Sequence, residues 1–177
     1  MTSAQIADLS GAARMMTRYM AWANNVMLEF LEELPEDELT RKRDTLFGSI
    51  AHTFNHVLVI QNIFRAHLEG QSHGYQARNT ERPPPFTEVA AGIRRADAYY
   101  VGLAEKMTAI ELAERVHFQF VDGGRGVMTR LEILLHLVNH ATYHRGFISV
   151  LLFQIQREAG ANDFTVFLRD SFVSGDN

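Results

Sequence analysis

Apolar side chains recur every three or four residues through four long segments of this 177-residue chain. An α-helix turns once in about 3.6 residues, so this spacing places the apolar side chains along one face of a helix. Such a helix is stable when its apolar face packs against another element. The pattern therefore predicts an all-α protein. The first segment carries Met15, Tyr19, Trp22, Val26 and Phe30 at this spacing.

Proline, glycine and polar stretches mark where the predicted helices begin and end. A first helix, capped by Ser10, ends before Pro35 and leads into a polar connecting loop over residues 35–49. Gly70 stops the second helix, and a glycine and three prolines indicate a long surface loop over residues 71–86. The other three long helices are predicted at about Phe47–Leu68, Thr87–Met107 and Arg130–Glu158.

Two shorter segments depart from the helical spacing. The stretch VHFQFVDGGRGVMT alternates apolar and polar residues before an Asp-Gly-Gly sequence, which predicts a small hairpin or loop before the last long helix. Residues 162–172, NDFTVFLRDSF, predict a helical turn or two packed on the other helices. Four long helices with a crossover connection predict a four-helix bundle. The length suits a single domain spanning residues 1–177.

The composition excludes several classes of protein. Cysteine is absent, so the chain has no disulfide, thiolate nucleophile or cysteine-ligated metal site. No apolar run approaches the roughly 20 residues that cross a bilayer, and the first residues lack the pattern of a secretion signal. We therefore expect a cytoplasmic protein with no membrane partner. The formal net charge of -4 argues against a nucleic-acid partner, because surfaces that bind nucleic acids are normally basic.

Two histidines interrupt the apolar face of the fourth long helix. His140 and His144 stand four residues apart in HLVNHATYHRGFISVLL, with Leu137 and Ile148 on the same face. This spacing puts both rings on one side of the helix, where two imidazoles can converge on one ion. Burying two imidazoles without partners is costly. The pair alone also fits hydrogen-bonded core histidines or exposed ones at a bundle end, so a third convergent ligand is needed to favour a metal site.

The second helix offers such a third ligand. His56 lies on the flank of the apolar face of this helix and can face a groove of the bundle. His52 lies further round the helix, towards solvent. We expect His136, one turn before His140, to lie beside the ligands or at the edge of the core. Three other histidines have no partner at ligand spacing and are expected on the surface: His67, His73 and His117.

At this point the chain resembles the DinB-like family of damage-inducible, metal-binding four-helix bundles. The most specific part of the resemblance is NHATYHRG in the fourth helix, together with the aromatic-rich YMAWAN far upstream. The resemblance extends over nearly the whole chain, through YMAWANNVML, LPEDELTRKRDTLFGSIAHTFNHVLV, HLVNHATYHRGFI and DFTVFLRD. It implies the DinB-like form of the four-helix bundle.

In that family three histidines bind a divalent metal ion, usually described as zinc or nickel. The resemblance places these ligands at His56, in the sequence FNHV, and at His140 and His144, in NHATYHRG. The same three residues are the ones that the helical spacing favours. Relatives of the family resemble bacillithiol transferases and mycothiol-dependent isomerases. This implies a small-molecule substrate, such as a low-molecular-weight thiol.

Three positions depart from the pattern of these relatives. Gln61 stands where they often have an acidic residue, Phe64 where they have tryptophan, and Phe147 where they have glutamine. We expect Gln61, five residues after His56, to lie beside the site. The missing carboxylate removes an obvious general base. This leaves the metal ion in place but weakens the argument for catalysis.

Three histidine ligands leave one position of a tetrahedral ion open for water or substrate, as in catalytic zinc sites. Such an ion lowers the pKa of a bound water or activates a bound thiol. We therefore predict a metal-dependent hydrolase or a thiol S-transferase. The alternative is a non-enzymatic metal-binding or stress-response interaction module. Direct DNA binding is the least favoured function, because the acidic balance predicts weak, non-specific affinity at most.

Four residues next to the ligands have roles that the sequence leaves open. Arg145 either holds a substrate carboxylate or forms a surface salt bridge, and its helical angle, pointing away from the core, favours the salt bridge. Tyr143 either donates a hydrogen bond near the ion or only packs. Asn55 and Asn139 each precede a ligand and are candidates for orienting it.

The first helix carries more apolar surface than one stripe requires. Either a second copy of the chain covers the excess, or the helix is broadly buried within one chain. We expect a homodimer, which the family resemblance also favours. The residues concerned are Met15, Met16, Trp22, Val26, Met27 and Leu31.

Overall fold

The chain is described by a computed structural model over residues 3–172, with side chains from residue 9 to residue 170. The helices in this range are α1 (Ser3–Glu32), α2 (Glu36–Thr40), α3 (Ile50–Leu68), α4 (Phe86–Lys106), α5 (Ala109–Leu112), α6 (Arg130–Phe153) and α7 (Phe164–Phe167), followed by a π-helical turn (Leu168–Phe172). The strands are β1 (Arg115–Gln119) and β2 (Arg125–Thr129), which pair antiparallel. No helix in this range has the length and apolar character to span a membrane.

The four long helices α1, α3, α4 and α6 form a bundle. Helix α1 packs against α4 and α6, and α3 packs against the same two helices. Consequently α1 and α3 stand at diagonal corners, and α6 has two interior faces. The predicted all-α bundle and the predicted hairpin before the last long helix are both confirmed.

The core consists of two apolar clusters with a polar boundary between them. The first cluster contains Tyr100 and Leu137 and reaches the hairpin, and the second contains Leu31 and Ile148 at the other end of the bundle. Along α1, α4 and α6 the change from one cluster to the other falls at three buried polar residues. These residues are Asn24, Asp97 and Arg145.

Several predicted boundaries of the long helices were wrong. Ser10 does not cap α1, because it lies inside that helix and is buried. Helix α3 begins at Ile50 rather than near Phe47, since the Ser49 hydroxyl accepts a hydrogen bond from the third backbone amide of the helix. Helix α6 ends at Phe153, and the left-handed backbone of Gln156, with φ of 56°, prevents its continuation to Glu158.

Two short helices were not predicted. Helix α2 lies inside the predicted polar loop, where three acidic residues in its first turn complement the helix dipole. Helix α5 begins with a capping box in which Thr108 and Glu111 satisfy each other's backbone amides. The corresponding capping box of α6, between Thr129 and Glu132, explains why that helix begins where it was predicted to begin.

The bundle accounts for much of the apolar surface of α1. Met27 and Leu31 are fully buried within the chain, and Met15, Met16 and Trp22 are half-buried against the first core cluster. The homodimer expected from this helix therefore stays a prediction. Among the described residues, α6 instead carries a row of exposed large apolar side chains: Leu135, Tyr143, Val150 and Phe153.

Candidate metal centre

Helices α3 and α6 bring the rings of His56, His140 and His144 together. His56 Nε2 lies 3.0 Å from His140 Nε2. His144 Nε2 lies 3.1 Å from the same atom. Each ring offers a nitrogen, and these nitrogens all lie within 4.8 Å of one another. Two nitrogens bound to one ion at about 2.0–2.1 Å are at most roughly 4 Å apart. Both contacts of His140 are within this limit, and the third pair, within 4.8 Å, needs at most a small ring movement to meet it.

The hydrogen atoms available to these rings cannot satisfy both contacts. A neutral imidazole nitrogen either carries one proton or offers one lone pair. His56 Nδ1 donates to the backbone carbonyl of Arg78 at 2.6 Å, which leaves a lone pair on His56 Nε2. His140 Nε2 faces two other ring nitrogens and can form a hydrogen bond with only one of them. A cation shared by three lone pairs removes this conflict, so the residues present fit a metal ion.

The surroundings keep the three rings neutral. Burial lowers the pKa of His140 to about 2, with further lowering by the neighbouring His144 and His56. Burial, and then the proximity of His56, lowers the pKa of His144 to about 4. Burial also lowers the pKa of His56, against the opposing effect of its hydrogen bond to Arg78. A neutral imidazole is the form that binds a metal ion, so the cluster is ready to bind one at neutral pH.

Within the part of the chain that the structure describes, one of the three rings is oriented by a hydrogen bond to a group outside the cluster. His56 Nδ1 is held by the Arg78 carbonyl, an arrangement typical of metal-binding histidines. Nδ1 of His140 and Nδ1 of His144 are buried, and neither has a hydrogen-bond partner within the described residues. Their orientation therefore depends on packing and on their shared position along α6.

Polar side chains of α3 fasten the loop segment 78–80 over the cluster. His52 is half-buried rather than turned to solvent, because its Nε2 donates to the Thr80 carbonyl at 2.7 Å. The Asn55 side chain is not hydrogen-bonded to the His56 ring within the described residues and orients it only indirectly. Its amide donates instead to the side-chain oxygens of Asn79, at 2.5 Å, and of Thr80, at 2.7 Å.

Aromatic rings cover two sides of the histidine cluster. The Phe47 ring stacks on His56, with centroids 4.3 Å apart, and lies 5.6 Å from the His144 ring. Tyr143 is 58% exposed and packs edge-on against His144 at 5.1 Å, which favours the packing role for this residue. Phe47 was missed as a site residue because it was assigned to the start of the second helix, whereas it lies before α3 and its ring turns back onto His56.

The expectations for the other histidines and for Asn139 had mixed outcomes. His136 is half-buried, with its ring 5.6 Å from that of His140, as expected for a neighbour of the cluster. His117 is exposed, as predicted. His67 and His73 are half-buried, so the expectation of surface positions was wrong for both, since they pack at the edge of the hairpin. Asn139 is exposed, which makes it a poor candidate for orienting His140.

The predicted surface salt bridge of Arg145 was wrong. Arg145 is only 2% exposed, because the face of α6 that carries it packs against α1. Its guanidinium donates to Asn24 Oδ1 at 2.7 Å and to the Tyr19 hydroxyl at 3.2 Å. It also donates to the Thr142 hydroxyl at 3.0 Å. With these bonds Arg145 is held in the bundle and does not face a substrate.

Gln61 does not lie beside the histidine cluster. Five residues after His56, it has turned towards α4, where its amide donates to Asp97 Oδ1 at 2.6 Å. Asn24 donates to the other oxygen of Asp97 at 2.9 Å. Burial raises the pKa of Asp97 to about 6. Sequence reasoning missed this carboxylate, although an aspartate inside the apolar stripe of the third long helix was a signal for it.

Comparison with known proteins agrees with the fold and the motifs. The chain is similar to Protein DinB of Bacillus subtilis (strain 168), with 27% identity over 165 residues, 90% of this chain and 95% of that protein. Its fold is similar to that of a DinB-like protein from Bacillus cereus ATCC 10987, with a TM-score of 0.63 and 18% identity over 82% of this chain and 94% of that one. The model of the DinB family matches residues 7–171, so this chain belongs to the DinB family, as its motifs predicted.

Proposed function

We propose that the protein binds one divalent metal ion through His56, His140 and His144 and acts on a small molecule at that ion. The observation that carries this proposal is the meeting of three neutral ring nitrogens at one point. Three neutral imidazoles suit borderline ions such as zinc and nickel. Because these ligands leave the charge of the ion uncompensated, an anionic further ligand from the substrate is favoured.

Between the two reactions considered, we favour transfer to a low-molecular-weight thiol over hydrolysis. When bound, a divalent ion lowers the pKa of a thiol or a water that it contacts. Hydrolysis usually also needs a general base near the reacting water. The cluster formed by the described residues contains histidines and no carboxylate. Gln61 lies on another side of α3, where it contacts Asp97 of α4. A thiol whose pKa the ion has lowered becomes a thiolate without a neighbouring base, so thiol transfer needs fewer catalytic side chains around the ion.

The protein's own residues supply orientation and shielding. The Arg78 carbonyl fixes the ring of His56, so its Nε2 faces the other two histidines. The rings of Phe47 and Tyr143 pack against His56 and His144 and shield two sides of the cluster from water. Removing water strengthens the electrostatic interaction between an ion and an anionic ligand.

Turnover with a thiol and an electrophile tests this proposal. Metal-free protein loaded with one equivalent of zinc or nickel is mixed with bacillithiol or cysteine and with chlorodinitrobenzene. We expect thiol consumption that depends on the metal and is lost in His144→Ala. The matched control is His117→Ala, an exposed histidine outside the cluster, which we expect to retain the activity. If the loaded protein neither binds the thiol nor turns it over, the enzymatic function is ruled out.

A non-enzymatic metal-binding module is the second candidate. The absence of a carboxylate from the cluster, among the described residues, favours it over a hydrolase. A fourth ligand supplied by this chain or by a second copy would close the site and support this candidate.

We also propose a cytoplasmic homodimer without affinity for DNA. Light scattering after size exclusion and a gel shift at moderate salt test the last two expectations, and a monomer or a tight DNA complex would contradict them.

A further inference from the structure

A cavity of about 740 Å³ lies between α3, the loop segment 76–81 and the β-hairpin. Pockets for small molecules usually measure about 300–1,000 Å³, so this volume is sufficient for a substrate of ordinary size. Most of its wall is apolar and aromatic. The apolar wall residues include Phe47, Ile60, Ile63, Phe64, Phe118 and Phe120.

The cavity and the histidine cluster share wall residues. Phe47 lines the cavity and stacks on His56 at 4.3 Å. Arg78, also in the wall, accepts the hydrogen bond of His56 through its carbonyl. The Phe64 ring lies 5.0 Å from that of His136, which is the neighbour of His140. The cavity therefore adjoins the histidine cluster at Phe47 and Arg78, which contact both.

Both movable walls of the cavity are held in place. On one side, the hydrogen bonds from α3 fasten residues 78–80. On the other side, the Phe118 ring packs edge-on against Phe64 at 5.5 Å and stacks with His67 at 5.0 Å. Gly126, the partner of Phe118 across the hairpin, leaves room for this ring, because a Cβ there would lie 2.5 Å from it. A ligand can thus enter without reorganising the walls, which favours affinity.

The charges at the rim indicate the class of ligand. The ionised residues of the lining are Arg78, Glu81 and Asp122, which give a formal charge of one negative unit. Burial lowers the pKa of His67, so this ring adds no positive charge at neutral pH. An anionic group is therefore not favoured in the cavity itself. Phenylalanine rings instead favour flat apolar groups, with which they stack edge-on or offset.

We propose that this cavity binds an uncharged aromatic group of the substrate and directs the reactive end of the same molecule to the histidine cluster. The inference rests on the proposed function for its second half. The first half, an aromatic binding site next to the cluster, depends only on the cavity. The two halves are therefore tested by separate measurements.

Binding of the uncharged fluorescent probe N-phenylnaphthylamine tests the cavity. Ala77 is an exposed residue of the cavity wall, so Ala77→Trp fills the space without disturbing the core. The matched control is Ala161→Trp, an exposed residue that lines a different cavity of about 630 Å³ beside Tyr19. We expect the unmodified protein to bind the probe, Ala77→Trp to bind it at least about tenfold more weakly, and Ala161→Trp to bind it unchanged. Phe120→Ala, at the half-exposed tip of the wall, is expected to weaken binding as well.

The position of the probe relative to the ion is measured by proton NMR on protein loaded with cobalt or with zinc. Cobalt is paramagnetic and broadens resonances near it, so we expect broadening of the probe signals with cobalt and not with zinc. Absence of probe binding, equal affinity in Ala77→Trp, or bound probe without broadening would each overturn the inference while leaving metal binding intact. Failure of the protein to bind zinc or cobalt would overturn the proposed function and the second half of the inference together.

Discussion

Two buried polar clusters meet α6 at neighbouring residues, His144 and Arg145, and they differ in how their polar atoms are satisfied. In the histidine cluster, His140 Nε2 faces two nitrogens with which it cannot bond at once. Around Arg145, each donating nitrogen of the guanidinium has an acceptor. Asp97 accepts one hydrogen bond on each carboxylate oxygen. We call the Arg145 cluster complete because its charged groups have partners within the described residues. The histidine cluster is incomplete, because its own hydrogen atoms cannot satisfy both contacts of His140.

The difference indicates two roles for buried polarity in one bundle. The Arg145 cluster links one residue from each long helix through hydrogen bonds: Asn24 of α1, Gln61 of α3, Asp97 of α4 and Arg145 of α6. Within the described residues, Gln61 Oε1 is the one buried side-chain atom of this set without a partner. We infer that this cluster fixes the positions of the four helices relative to one another along the bundle axis. The histidine cluster connects α3 and α6, and its geometry is compatible with holding a metal ion.

The largest effect on metal binding is expected for removing the central histidine of the incomplete cluster. His140→Ala should lower the affinity for zinc by about a hundredfold to a thousandfold, because a structural zinc site gains roughly 3–4 kcal/mol from each ligand. Competition with a chromophoric chelator measures this change. His136→Ala, one turn away, is the matched control and should leave the affinity nearly unchanged. Unaltered zinc affinity in His140→Ala would remove His140 from the site.

The next effect concerns the complete cluster. Arg145→Met should lower the free energy of unfolding by about 3–5 kcal/mol, because Asp97 and the acceptors around Arg145 lose their compensating charge and donors. Urea unfolding measures this loss, and the metal content should stay at one ion per chain. Adding Asp97→Leu should restore part of the stability. A variant that keeps its stability but loses the metal would reverse the roles assigned to the two clusters.

A smaller effect is expected from the protonation of Asp97. Because burial raises its pKa from 3.8 to about 6, the folded chain holds a proton that the unfolded chain releases in this interval. The stabilising effect of this proton is complete below about pH 4 and is lost as the pH rises through 6, by roughly 3 kcal/mol in total. In Asp97→Asn, which has no carboxyl group at this position, the unfolding free energy should not show this fall with rising pH.

Urea unfolding of the parent and of Asp97→Asn, at several pH values between about 4 and 7, gives the difference directly. The unfolding free energy of the parent should fall relative to the variant as the pH rises. A difference that is constant with pH, or that changes in the opposite direction, would show that Asp97 is ionised throughout.

The smallest effect is expected for the loop that covers the histidine cluster. Asn55→Ala removes the hydrogen bonds to residues 79 and 80, so the neighbouring Arg78 carbonyl should hold His56 less firmly. Zinc affinity should fall by about tenfold, as is usual when a group that orients a ligand is lost. Asn139→Ala is the matched control, since Asn139 also precedes a histidine of the cluster but is exposed. Equal losses in both variants would contradict the role given to the loop.

The sequence pattern was sufficient to predict the four long helices and the hairpin of this fold. The four long helices depend on apolar residues within each segment, and the hairpin depends on local alternation and turn residues. The ends of helices were less predictable, because they depend on single backbone groups. Ser49 begins α3, and the left-handed Gln156 ends α6. A capped four-residue helix such as α5 is too short to show a period.

Residues of the site were predictable where both partners lie on one helix. The spacing of His140 and His144 was enough to place their rings together. The positions of Arg145 and Gln61 could not be derived in this way, because α6 and α3 each have more than one interior face. Which face is interior depends on the neighbouring helices. Asp97 and Phe47 were missed for the same reason, since their partners come from other parts of the chain.

X-ray absorption at the metal edge, on protein loaded with one equivalent of zinc, tests the central claim most directly. The three-histidine site predicts three imidazole nitrogens at about 2.0–2.1 Å and one light ligand that exchanges with added thiol. The thiol should then contribute a sulfur at about 2.3 Å. Four protein ligands that no added thiol displaces, or protein that retains no zinc after dialysis, would contradict the account.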